Sequence, residues 1–422
     1  MSQTTGDPAQ PFAPHRALAA YGVRVHEALG DEGFACSPLG AYVLLAAAAL
    51  AATGEPRARL EQTLGCSAES ATAWLSSLLD ARHPAVSAAY ALWHHEAMSS
   101  AKYDDWERAL PGAIERGPIP TEAAASRWVE ERTGGQIDRF PGGLDPEALV
   151  VLVSTIATRC EWDWKFCRVN ASELGDGDWA RRLRFALSQY GGPLRAFYST
   201  RTAGVVAAQI ANSRHGVKVV SVIAAPEISP PLVVAAAHDI AALECGLASD
   251  AVSLSHFDMP LGEGHAWTMT ETRICCREPG TRIEMSEILL PAWRFECCEW
   301  NLLEHPSLGF PDAADSLLAL APPDVARGGA SARQATTAHF HRLGFAAAAA
   351  TAVVPVGAAG GGGRPETPYE GFYRKATVRF SRPFASVAVA CDGMDSPPGT
   401  SPWHGIPFLS AWVTDPTDEG TD

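Results

Sequence analysis

Thirteen histidines, ten cysteines and many serines give this chain ample means to attack carbonyls, hold metals or move protons. Spacing decides whether they can. A hydrolase nucleophile on a strand-to-helix elbow needs G-x-S-x-G, and a zinc protease needs H-E-x-x-H; neither pattern occurs. His94-His95 follows an apolar run, and His339-x-His341 has no nearby carboxylate or thiolate, so neither pair makes a metal set. No metal and no other cofactor is expected. The cysteines show no C-x-x-C spacing, and the adjacent pairs Cys275-Cys276 and Cys297-Cys298 would point to opposite faces of a strand. They read as free buried thiols of a reducing compartment. Gly360 to Gly363 lacks a lysine, and Arg364-Pro365 forbids the helix that a phosphate cradle requires, so an exposed loop is expected there. The expectation is a protein that is not an enzyme.

One segment carries a different kind of chemistry. Gly344-Phe345-Ala346-Ala347-Ala348-Ala349-Ala350-Thr351-Ala352-Val353 contains five consecutive alanines, with no charge and no bulk. Such a run can end a helix, lie in solvent as a loop, or slide between two strands without displacing their side chains.

The elements that would position it can be traced from the N-terminus. Apolar residues recur at helical spacing over Ala17–Leu29, and Ser37-Pro38 opens a second helix, serine capping the free amides and proline fitting the first turn. Val86–Trp93 reads as a strand, and Trp128 to Ile137 as a helix end running into Gly134-Gly135. Ala148–Ala157 is a nearly unbroken apolar run, fit for a strand buried on both faces, and is followed by Trp162-x-x-x-Phe166. Two β-rich runs flank Asn212–Gly216 as a hairpin, and Pro230-Pro231 starts a helix to Leu243.

In this order the elements resemble those of the serpins, the serine protease inhibitor family. The resemblance rests on Ser37-Pro38, the W-V-x-x-x-T-x-G-x-I pattern met by Trp128, Val129, Thr133, Gly135 and Ile137, the W-x-x-x-F spacing, and the alanine hinge. It also covers Glu287–Pro291, Leu308-Gly309-Phe310 and the closing strands Val378–Phe384 and Pro407–Pro416. It implies an α+β fold with a large mixed central β-sheet, two smaller sheets, about eight to nine helices and an exposed reactive-centre loop. One domain would span 14–416, with a leader at 1–13, a tail at 417–422, and the hinge and loop at 344–377.

The resemblance further implies a suicide substrate. A serine protease, chymotrypsin-like or subtilisin-like, cuts the loop, and the cut loop enters the central sheet as a new strand. Gly344, Phe345, Ala346, Ala347, Ala348, Ala349, Ala350 and Thr351 would form the hinge. Strand alternation puts Phe345, Ala347, Ala349, Thr351 and Val353 on one face, which the family buries. Ser37, Pro38 and Gln334, with Trp128, Thr133 and Gly135, would form the shutter and core motif. Phe345 replaces a small residue, Arg342 a glutamate, Gln334 a histidine and Ala411 a glycine. The loop is roughly a dozen residues longer than usual, about 40 Å of slack. Counting from Gly344 puts the cut at Ala358-Ala359, and counting back from Phe384 puts it at Phe372-Tyr373, the favoured bond. Arg364 is spoiled as a trypsin site by Pro365. A binding scaffold whose loop is only a protease substrate is the alternative.

Composition agrees with a large core: 422 residues, 47% hydrophobic. A net charge of -15 with no basic patch argues against nucleic acid and anionic membranes as partners. Met1–Pro14 has no charged start followed by an apolar stretch, and no apolar run reaches twenty residues, so a cytoplasmic, monomeric protein is expected.

Overall fold

The computed structural model describes residues 12–140, 142–144, 148–191, 195–322, 325, 329–345, 369–393, 397 and 399–418. Among these residues lie nine α-helices: α1 (Pro14–Leu29), α2 (Pro38–Ala49), α3 (Gly54–Leu64), α4 (Ala68–Asp80), α5 (Ala101–Ala109), α6 (Glu122–Thr133), α7 (Asp178–Arg182), α8 (Pro230–Glu244) and α9 (Phe310–Leu318). Helix α2 starts where its sequence directs: the Ser37 hydroxyl accepts from the Gly40 amide, and Pro38 fills the first turn, where its missing N–H is no loss. All its residues are buried, which is why its sequence shows no polar stripe. No helix among the described residues is long and apolar enough to cross a membrane.

The strands form three sheets. The first is antiparallel throughout, in the order β1 (Phe34–Cys36), β20 (Ile406–Val413), β19 (Phe384–Ala390), β10 (Val217–Ile223), β9 (Gly204–Ser213), β8 (Phe197–Thr200), β11 (Val252–Leu254). Every position of β19 and β20 is buried, so both strands read as continuous apolar runs. The second has the order β12 (Gly262–Glu263), β13 (Trp267–Cys276), β18 (Tyr369–Arg379), β14 (Arg282–Leu290), β7 (Phe185–Gly191), β6 (Cys167–Asn170). Here β18 runs parallel to β14 and antiparallel to β13.

The third sheet is mixed. Its order is β3 (Ile114–Pro118), β2 (Val86–His94), β4 (Ala148–Thr158), β16 (Gly329–His341), β17 (Gly344–Phe345), β5 (Cys160–Glu161), and β15 (Trp293–Asn301) pairs with the other edge of β16. Helix α2 packs against β4 of this sheet and β20 of the first, and so joins the two. Helix α6 covers the opposite face of β2 and β4, burying Val129, Ile137 and Phe140 against Trp93, Val151 and Val153.

One boundary differs from the sequence reading. The loop expected over 344–377 begins with a strand, β17, and its last part, from Tyr369 on, is also a strand. Ala376 and Val378 of β18 share a buried face and Gly371 is buried as well, all between β13 and β14, and this pairing overrides the charged residues between them.

Candidate functional site

The central feature of the mixed sheet is what happens between β4 and β16. These strands run parallel, and their register, Gly329↔Ala148, Ala330↔Val150, Ser331↔Val151, ends at Ala332↔Leu152. Beyond that point β4 keeps β2 on its outer edge as far as Val86↔Thr158, and β16 keeps β15 as far as Trp293↔Phe340. The facing inner edges enclose a narrow cavity of about 20 Å³ lined by Ser154, Ile156 and Thr158 from β4 and by Gln334, Thr336 and Thr337 from β16. A smaller one of about 10 Å³ lies beside it, where Val129, Ile137 and Phe140 meet Val151–Thr155. The two strands are fastened at one end and apart along the rest.

At the far end the gap is already occupied. After β16 the chain turns at Arg342-Leu343 and comes back as β17, pairing Phe345 with Phe340 and Gly344 with His341. Its other edge pairs with β5, Gly344↔Glu161 and Phe345↔Cys160. Glycine is required at 344 by space: a Cβ there would overlap the Cys160 carbonyl oxygen. Phe345 is 1% exposed. Its ring sits 6.3 Å from Trp162 and 6.0 Å from Trp293, which stacks on Phe340 at 12°. Burying such a ring contributes about 1.5–3 kcal/mol. Phe345 is therefore accommodated by an aromatic nest rather than overpacked.

The W-x-x-x-F spacing acts on the same turn. The Trp162 amide donates to the Leu343 carbonyl at 3.0 Å and the Phe166 amide to the Arg342 carbonyl at 3.1 Å. The Trp162 indole donates to the His341 carbonyl at 2.9 Å. His341 is 9% exposed, and burial, with help from His339 and Arg342, pushes its imidazole down to about 4. It is neutral at pH 7, and its Nδ1 accepts from the Leu343 amide at 3.4 Å.

Midway along the gap, Ser37 and Gln334 meet. The Ser37 amide donates to Gln334 Oε1 at 2.9 Å, and Gln334 Nε2 donates to the Ser37 carbonyl at 2.9 Å. The Ser37 hydroxyl accepts from the Gly40 amide at 3.1 Å and donates to the Phe408 carbonyl at 2.7 Å. The N-terminus of α2 is thereby fastened to β16 and β20 together. Helix and β4 also approach closely, since a Cβ on Gly40 would lie 2.9 Å from Ser154 Oγ.

Trp128, Thr133 and Gly135 lie in α6 and the turn that ends it. Thr133 Oγ1 donates to the Val129 carbonyl at 2.9 Å and accepts from the Ile137 amide at 3.2 Å. Gly135, with φ of +77°, takes a conformation that other residues adopt only with strain. The Trp128 indole donates to Glu115 at 2.9 Å and meets Trp93 edge-on. These three residues shape the cover of the gap and stand apart from Ser37 and Gln334.

The favoured scissile pair moves. Phe372 and Tyr373 are internal to β18, with Arg273 and Thr272 of β13 on one side and Arg282 and Ile283 of β14 on the other. A protease needs an extended segment free on both edges, so this bond is not presented. Counting back from Phe384 misplaced it because β18 takes up eleven residues before that point. Ala346, Ala347, Ala348, Ala349, Ala350, Thr351, Ala358, Ala359 and Arg364 lie outside the described residues.

Nor are the thiols uniformly buried. Cys167 and Cys275 are exposed, and Cys66, Cys276 and Cys298 are half-buried. Among the described residues no group of three or more histidines, cysteines or carboxylates is arranged to hold a metal. Sequence reasoning missed Trp293 and Phe340 as parts of the hinge seat; Phe340 lies just before the Gly344 turn, whereas Trp293 carries no local signal.

Residues 17–173 match the family model described as Serpin (serine protease inhibitor). No curated protein sequence matches the chain. Among solved structures it is similar to the thermophilic serpin tengpin in its native state, at 17% identity and TM-score 0.63, covering 97% of this chain and 96% of that one. It is also similar to Serpin48 of the insect Tenebrio molitor, at 14% identity and TM-score 0.58, covering 97% of this chain and 100% of the other. A third is thyroxine-binding globulin in complex with thyroxine, at 12% identity and TM-score 0.56, covering 96% and 99%. At these identities the structures speak for fold. The chain thus matches the serpin family model over residues 17–173 and has the serpin fold over nearly its whole length.

Proposed function

We propose that this chain acts as a serpin that inhibits a serine endopeptidase as a suicide substrate. The observation that carries the reading is the gap between β4 and β16, fastened at Ala332–Leu152 and seeded at its other end by Gly344 and Phe345. The protease serine attacks a carbonyl in the segment between Phe345 and Tyr369, forms an acyl ester and releases the downstream amine. The freed segment then extends β17 into the gap, with Ala347, Ala349, Thr351 and Val353 following Phe345 onto its face. Ten or so residues completing a ladder at about 0.5–1.5 kcal/mol per hydrogen bond give on the order of 10 kcal/mol. The uncut fold is then a kinetic trap.

Speed decides between inhibitor and substrate, since each 1.4 kcal/mol or so in the insertion barrier is about tenfold in rate against deacylation. A β17 that is already seated supports fast insertion. With Phe372 in a strand, Ala358-Ala359 is the candidate bond, and its small side chains suit a subtilisin-like partner better than a chymotrypsin-like one.

A scaffold that binds a small molecule or a partner is the second reading. One of the similar structures, thyroxine-binding globulin, is a complex with thyroxine, and Phe345 supports the reading by placing a bulky anchor where free movement of the loop is needed. Incubation with subtilisin-like, chymotrypsin-like and trypsin-like proteases separates the two. An inhibitor gives a complex that survives denaturing electrophoresis, and its nicked form melts at a sharply higher temperature. Cleavage by all three without adduct and without a rise in Tm leaves the scaffold.

A further inference from the structure

Cys245 and Cys391 meet in the core at one end of the first sheet. Cys245 closes α8, and Cys391 follows β19, against which α8 packs. Their Sγ atoms are 2.9 Å apart, nearer than two unbonded sulfurs rest and within an ångström of the ~2.05 Å disulfide bond. The two residues are 7% and 4% exposed.

Both backbones are held in place. The Cys391 amide donates to the Gly216 carbonyl at 2.7 Å, and its carbonyl accepts from His83 Nε2 at 3.0 Å. The Cys245 carbonyl accepts from His404 Nε2 at 2.8 Å, and its amide donates to the Ala241 carbonyl at 3.1 Å. With both main chains tied into separate elements, the two backbones are held where the thiols meet.

We propose that Cys245 and Cys391 are a redox modification site and form a disulfide that joins α8 to the chain downstream of the reactive loop. The thiol of Cys391 is the reactive one. Its hydrogen bond from Cys245 and the Lys218 ammonium nearby lower it from the usual thiol range against the effect of burial. Its thiolate attacks one sulfur of a low-molecular-weight disulfide such as oxidised glutathione and expels one small thiolate. Cys245 loses its proton to water and attacks the Cys391 sulfur, expelling the second. Two protein thiols and one small disulfide become one protein disulfide and two small thiols. Burial makes the exchange slow in the folded protein, whereas during refolding both thiols are open to the small disulfide.

The pair lies 146 residues apart in sequence and brackets the whole stretch from Phe345 to Tyr369. A cut in that stretch therefore leaves one covalent unit when the bridge is present and two chains when it is absent. This holds whichever protease makes the cut and whether or not it is inhibited.

The test uses the full chain, refolded in a mixture of oxidised and reduced glutathione, alkylated under denaturing conditions and mapped by mass spectrometry. The expected result is a peptide pair linking Cys245 to Cys391, reductant-sensitive, and a Tm several degrees above that of the reduced protein. Nicked protein should run as one band without reductant and as two with it, and Cys167→Ser should leave both results unchanged. Complete alkylation of Cys245 and Cys391, linkage of either to a different cysteine, or two bands without reductant would each overturn the proposal.

Discussion

Gln334 and Ser37 exchange two hydrogen bonds of 2.9 Å, the amide side chain of one matching both backbone groups of the other. Ser37 is 8% and Gln334 4% exposed, so neither backbone group has water as a ready substitute. Gln334→Ala leaves a donor and an acceptor unpaired at about 1–3 kcal/mol each. Urea unfolding of the uncut protein should show a lower midpoint with an unchanged slope. A midpoint within error of the parent would mean that the α2 terminus is held by other contacts.

Gly344→Ala places a methyl where the Cys160 carbonyl oxygen already stands. Overpacking of this kind costs about 1–3 kcal/mol and would tend to drive β17 out of the sheet. A lower Tm together with faster nicking of the hinge by a dilute nonspecific protease is the expected outcome.

Phe345→Ala empties the aromatic nest formed with Trp162, Trp293 and Phe340. Loss of a buried phenyl ring costs about 3–5 kcal/mol. The uncut protein should be destabilised by about that amount in denaturant titration. If the protein is an inhibitor, the fraction of protease trapped per molecule cleaved should fall as well, because the new strand loses its seed.

Acid should weaken the fold through its buried histidines. Burial pushes His26 down to about 3 and His238 and His341 down to about 4, His26 and His341 being lowered further by neighbouring positive charge. All three lie below the ordinary value near 6.5, so the unfolded chain binds more protons and stability rises with pH. Stability should be full above about pH 6.5 and fall steadily towards pH 4. His341→Gln should flatten the plot of Tm against pH over that window, and an unchanged slope would show that His341 charges freely in the folded state.

Local signals were legible where a short segment determines its own structure. Ser37-Pro38 marked the start of α2, the apolar run marked β4, and Thr133 to Gly135 marked the end of α6, because capping and burial act within a few residues. Gly344 and Gln334 could be named only through the family pattern, and nothing in the sequence showed that Phe345 would be seated. Its seat is built by neighbouring Phe340 together with Trp162 and Trp293, which are distant in the chain. The start of β18 at Tyr369 escaped for a similar reason. Glu370, Arg374 and Lys375 suggest solvent, yet Arg374 pairs with Glu271 of β13 at 2.8 Å and Lys375 with Glu287 of β14 at 2.7 Å. Cys245 and Cys391 carry no local signature at all.

The arrangement of β4 and β16 also governs how the molecule treats its own copies. Strand edges that could recruit a foreign chain are turned toward each other, shielded by α6 on one side and α2 on the other, and Phe345 stoppers the mouth between them. The stopper covers those edges as long as it stays seated, so substitutions that evict Phe345 should leave the molecule prone to link with its neighbours edge to edge.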